Sequence, residues 1–114
     1  LIFNKSIDAL NILKEKKYEC YVLSNWSWET FENLENEYPF LKKFDDLLIS
    51  GKEKMIKPDP EIYLLAIKRF NLIPNQTVFI DDKIENINAA KDLSFKTIHL
   101  NDPELIIDKI KEFI

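Results

Sequence analysis

Thr77-Val78-Phe79-Ile80-Asp81-Asp82 is the stretch that decides the fold. Its first four residues have the make-up of a buried strand, and the last two set adjacent carboxylates at the strand's end. A helical pattern opens at once with Ile84, Glu85, Asn86 and Ile87. A strand that runs into a helix almost without a loop belongs to an open α/β sheet, where ligands gather outside the carboxyl ends of the strands. Two acids there concentrate negative charge where a divalent cation can sit. Mg2+ takes oxygen ligands, binds through one or two carboxylates and keeps several waters. The alternative role for the pair is to cap the next helix and satisfy its dipole. Asn86 follows Asp82 by one helical turn, either supporting the acids or standing as an exposed polar residue.

Two signals lie upstream. Cys20-Tyr21-Val22-Leu23 is strand-like and runs into Ser24-Asn25. A hydroxyl beside backbone N–H groups suits phosphate oxygens, whereas the plainer role for Ser24 and Asn25 is a cap or turn. Lys57-Pro58-Asp59-Pro60 opens a helix, and its prolines fix where the Lys57 ammonium emerges. That ammonium either neutralises a phosphate or a nucleophilic carboxylate, or is simply solvated. Ser24 lacks a Gly-x-Ser-x-Gly elbow, and the sole histidine, His99, falls in a strand pattern, so a Ser-His-acid nucleophile is not expected. Trp26 and Trp28 either line a substrate entrance or pack in the core.

The remaining pattern supplies the layers. Helices are expected over 5–17 with Ser6 as cap, over 28–37 with Ser27 as cap, from Asp59-Pro60 to about Phe70, over 84–93 and over 103–113. Strands are expected over 18–23, 46–49, 76–80 and 96–100, with a short helical turn over 40–44. The alternation predicts an α/β fold with a Rossmann-like parallel sheet and helices on both faces.

Composition narrows the function classes. The chain has 114 residues, which predicts one domain, and 46% hydrophobic content, which allows a packed core. A net charge of -4 with interspersed signs disfavours nucleic acid as partner. No run of 18 apolar residues predicts a membrane span, and no basic head with an apolar block marks a signal peptide. Cys20 is the only cysteine, so no internal disulfide forms. A cytoplasmic setting is the expectation. The first residue is Leu1 rather than Met, and the chain is expected to be a segment of something longer.

Taken in order, these signals resemble the haloacid dehalogenase-like (HAD) hydrolase superfamily. Leu23-Ser24-Asn25 is similar to its second motif and Lys57-Pro58-Asp59-Pro60-Glu61-Ile62-Tyr63 to its third. Phe79-Ile80-Asp81-Asp82 with Asn86-Ile87-Asn88-Ala89-Ala90 is similar to its fourth, in a form closest to the sugar-phosphatase-like members. The resemblance implies a Mg2+-dependent phosphatase acting on a small phosphorylated metabolite through an aspartyl-phosphate. It implies that Ser24 and Asn25 hold phosphoryl oxygens and that Lys57 pairs with the nucleophile and the phosphoryl group. Asp82 would be the main metal ligand, Asp81 a nearer or outer partner, and Asn86 the residue that steadies them.

The chain also departs from the family. No Asp-x-Asp motif occurs: Asp8, Asp45-Asp46 and Asp102 lack its pattern, and the cap that selects substrate is missing. In the family the absent strand lies between the strands ending at Ser24 and Asp81, so the sheet is expected to be incomplete at its N-terminal strand. A missing N-terminal segment or a complementing chain would complete it, and the 114 residues alone are expected to be inactive. The alternative is a non-catalytic α/β module that binds a phosphorylated ligand or a protein. Ser94 stands where the family usually has glycine before the last strand.

Overall fold

The computed structural model describes residues 4–24, 39–49 and 57–114. These group into two compact units. One unit combines the N-terminal helix with everything after Pro74; the other spans Glu19–Ile73. Among the described residues the four strands form two parallel pairs and not one continuous sheet. In the fold the family resemblance implies, the strand that would join them is the one these residues do not contain.

The Glu19–Ile73 unit contains β1 (Tyr21–Ser24), β2 (Asp46–Ile49) and the helix α2 (Pro60–Phe70). Residues β1 and β2 run in register, with Tyr21 opposite Asp46 and Ser24 opposite Ile49. Leu41, carried on a short 3-10 turn over Pro39–Lys43, is buried, as are Cys20 and Leu48. Helix α2 starts with Pro60 at its first position, carries Glu61 in its first turn, and ends with Lys68 and Arg69. Each choice complements the helix dipole or the orphan N–H groups. Its buried side chains, Ile62, Tyr63, Ala66 and Phe70, recur at helical spacing. Asp59 occupies the cap position without a side-chain cap bond. Only its carbonyl takes part, accepting from the Ile62 N–H at 3.3 Å.

The other unit contains α1 (Asn4–Glu15), β3 (Val78–Asp81), α3 (Ile84–Asp92), β4 (Lys96–His99) and α4 (Ile106–Ile110). Strands β3 and β4 are parallel, with Asp81 opposite His99. Ala9, Ile98 and Ile110 form a buried cluster against which Leu13, Val78, Ile80, Leu100, Ile106 and Ile107 pack. Ser6 is a correction: the helix is already formed at Asn4, so Ser6 lies inside it and does not cap it. The final helix is shorter than expected, because Pro103–Leu105 forms a 3-10 turn ahead of it. The Asp102 carboxylate accepts from the Glu104 N–H at that turn, at 3.0 Å. The expected helix over 28–37, with Ser27, Trp26 and Trp28, lies outside the described residues.

Three helices end the same way. Lys17, Asn71 and Ser94 each have positive φ (66°, 55° and 72°). The following N–H reaches five residues back: Tyr18 to Leu13, Leu72 to Ile67 and Phe95 to Ala90, at 3.0, 2.9 and 3.1 Å. This is the Schellman closure, whose left-handed position glycine fills without a Cβ penalty. The sequence has a single glycine and uses none here. Ser94→Gly and Lys17→Gly should therefore each stabilise the fold by about 0.5–1 kcal/mol, net of the greater freedom glycine has when unfolded. Urea melts with unchanged slope and a higher midpoint would show it.

Candidate functional site

At the amino ends of β1 and β2 lies a set of acids that the sequence left without a function. The Cys20 N–H donates to Asp45 Oδ2 at 2.6 Å, and the Asp45 N–H returns to the Cys20 carbonyl at 2.7 Å. Asp46 takes the Arg69 Nε–H at 3.3 Å, a half-exposed pair contributing about 0–1 kcal/mol. Tyr21 stacks on Phe70 with ring centroids 4.3 Å apart and donates its hydroxyl to Glu19 at 2.9 Å. These contacts tie α2 to the strands, and they sit at the end opposite to where ligands bind in parallel sheets. Partial burial, the bond to Glu19, and the charges of Glu19, Asp45 and Asp46 push the Tyr21 hydroxyl up to about 12.

A raised tyrosine pKa means the folded state favours the neutral ring. That stability is full below the ordinary value near 10 and is lost as pH climbs from there through about 12. Subtracting the tyrosinate absorbance titration of Tyr21→Phe from that of the wild type should leave one late-ionising group. Glu19→Gln should move that group to lower pH.

At the carboxyl end of the same strand pair, Ser24 is the last residue of β1 and is half-buried. Lys57 is half-buried ahead of α2. Asn25 lies outside the described residues. The acid pair belongs to the other unit, at the carboxyl end of β3, separated from α3 by one residue. There the two acids do different things. Asp81 Oδ1 accepts from the Lys83 N–H at 2.9 Å, and Oδ2 accepts from Asn86 Nδ2 at 3.2 Å. Asn86 is 3% exposed and is the only buried polar side chain among the described residues. A buried amide bonded to a carboxylate contributes about 1.5–3 kcal/mol. Asn86 thus supports the pair through Asp81, five residues back. The helix-capping role is divided too: the cap position is Lys83, without a side-chain cap bond, and Asp81 holds its N–H.

The Asp82 side chain is exposed and has no partner among the described residues, while its carbonyl lies 2.9 Å from His99 Nε2. His99 was read only as a strand residue. The signal that could have found it is register: it ends β4 opposite Asp81, so its ring stands beside the acid pair.

These oxygens suit Mg2+. Asp81 is oriented by two donors, and Asp82 faces solvent. Among the described residues no three His, Cys, Asp or Glu side chains gather into a metal-holding group. Two carboxylates, with water and a phosphate completing the shell, match the way Mg2+ is usually held.

The family model for haloacid dehalogenase-like hydrolases matches residues 1–93. The chain belongs to this family. Its HAD relatives include a phosphorylated carbohydrates phosphatase from Thermotoga maritima, 32% identical over 107 residues, covering 89% of this chain and 49% of the relative. A D-ribitol-5-phosphate phosphatase from Bacteroides thetaiotaomicron is 36% identical over 88 residues, covering 72% of this chain and 43% of the relative. The chain therefore spans about half the length of these phosphatases. Among solved structures, a HAD family enzyme from Bacteroides thetaiotaomicron in complex with magnesium and inorganic phosphate superposes with a TM-score of 0.78. It is 30% identical, and the match covers 85% of this chain and 52% of that one. The HAD-like α/β fold expected from the motifs is thereby shown. No described helix is long and apolar enough to cross a membrane.

Proposed function

We propose that this chain carries the metal-binding and phosphate-binding part of a Mg2+-dependent phosphatase that acts on a small phosphorylated metabolite. The observation that carries the reading is the division of labour at the end of β3. Asp81 is held by Lys83 and Asn86, and the neighbouring Asp82 presents an exposed carboxylate with no hydrogen-bond partner among the described residues. The phosphatase relatives, and the magnesium and phosphate in the related structure, support the same chemistry.

In this reading Asp82 is the principal metal ligand and Asp81 its partner, with Asn86 fixing the Asp81 rotamer. Ser24 and Asn25 donate to phosphoryl oxygens. Lys57 places a positive charge against the phosphoryl group and against the attacking carboxylate, which would otherwise repel each other. When bound, Mg2+ neutralises charge as the phosphoryl group transfers in line. The attacking aspartate belongs to an Asp-x-Asp motif, which these 114 residues do not contain. The reaction therefore needs an aspartate from outside them.

The test is phosphate release from a panel of sugar and polyol phosphates by the natural full-length protein, with and without Mg2+. Turnover that requires Mg2+, with little or none from residues 1–114 alone, is the expected result. Absence of turnover by the full-length protein on every phosphomonoester, with phosphate-ligand binding retained, would overturn it in favour of the non-catalytic binding module. The setting for this work is taken to be the cytoplasm, with no nucleic-acid or membrane partner. Fractionation of the source cells tests the location.

A further inference from the structure

We propose that His99 is a positioning residue for Asp82; the inference rests on the metal-site reading above. The backbone around the acid pair is fastened from β4. The Leu100 N–H donates to the Asp81 carbonyl at 2.9 Å, which extends the strand ladder by one bond. The next carbonyl, that of Asp82, lies where the chain leaves the strand and turns into α3. There His99 Nε2 takes over from the ladder at 2.9 Å. A carbonyl only accepts, so the ring carries its hydrogen on Nε2.

The two carboxylates are thus secured by different means. The Asp81 side chain is held directly, by the Lys83 N–H and Asn86. The Asp82 side chain is held by nothing among the described residues, so its direction is set by its own backbone. Among the described residues, the side chain that hydrogen-bonds to that backbone is His99. Fixing the Asp82 peptide limits the directions its carboxylate can take and lowers the ordering cost of binding a cation. A ligand left exposed for a metal needs such support from outside the coordination shell.

The test compares His99→Phe, which keeps a ring but loses the donor, with His99→Gln, whose Nε2 can reach the same carbonyl. Both are made in the natural full-length protein, with Asp82→Asn as the reference. Mg2+ affinity is measured by calorimetry, and the nitrogen shifts of the neutral His99 ring are read by NMR. His99→Phe should bind Mg2+ about tenfold more weakly, the usual scale for a lost outer partner, and His99→Gln should recover most of that loss. The neutral ring should carry its hydrogen on Nε2. Unchanged Mg2+ affinity in His99→Phe, alongside lost binding in Asp82→Asn, would overturn the positioning role and leave the metal site standing. A hydrogen on Nδ1 would also overturn it. Unchanged binding in Asp82→Asn would remove the metal-site reading itself.

Discussion

Asp82→Asn should abolish measurable Mg2+ binding in the natural full-length protein while leaving the fold intact. The asymmetry comes from the site. The Asp82 side chain is exposed and makes no hydrogen bond among the described residues, so its replacement should change stability by no more than about 0.5 kcal/mol. A divalent cation loses far more. Removing one unit of charge a few ångströms away costs on the order of several kcal/mol at an effective dielectric near 20, which is at least about a hundredfold in affinity. Asp81→Asn should behave differently. It places an amide where both carboxylate oxygens accept hydrogen bonds, so it loosens Asn86 and the start of α3 as well as the metal. Calorimetric titration with Mg2+, paired with urea melts, separates the two variants. Wild-type affinity in Asp82→Asn would refute its role as a ligand.

Lys57→Ala should lower turnover of the full-length enzyme by about two to three orders of magnitude, the usual loss when one charge-stabilising donor is removed from a transition state. The helix behind it should be unaffected. Its start depends on Pro60, Glu61 and the Asp59 carbonyl rather than on the lysine. Single-turnover rates with a phosphomonoester measure the effect, and circular dichroism checks the helix. A rate equal to wild type would show that Lys57 takes no part in the reaction. Lys57→Arg should recover only part of the rate, because a planar fork cannot occupy the place of a compact ammonium.

Much of the framework was legible because local patterns and tertiary packing agree. Asp46–Ile49 forms the expected strand, and Pro60–Phe70 the expected helix, with Ile62, Tyr63, Ala66 and Phe70 buried. The errors fall where a longer-range partner decides. Ser6 has a capping side chain, but the helix continues ahead of it. Helical spacing places Asn86 where it can support the acids, and it does so through Asp81; which of the two acids takes the amide depends on how the strand ends. His99 was out of reach for the same reason. Alternation along β4 says which face a residue occupies, and only the pairing of Asp81 with His99 puts the ring beside the acids. The acids at 45 and 46 lack the pattern of the nucleophile motif. Their bonds to Cys20, just ahead of β1, and to Arg69, near the end of α2, could not be read from spacing.

The first helix shares its buried cluster with a strand and a helix from the far end of the chain, Ala9 meeting Ile98 and Ile110. During synthesis, this helix must wait for partners made roughly 90 to 100 residues later. At typical elongation speeds of about 5–20 residues per second, that delay is roughly 5–20 s. Throughout it, the apolar stripe around Ala9, Leu10 and Leu13 has no lasting cover from this cluster. A nascent-chain stage that attracts chaperones, ending only as Ile110 clears the exit tunnel, follows from that wiring.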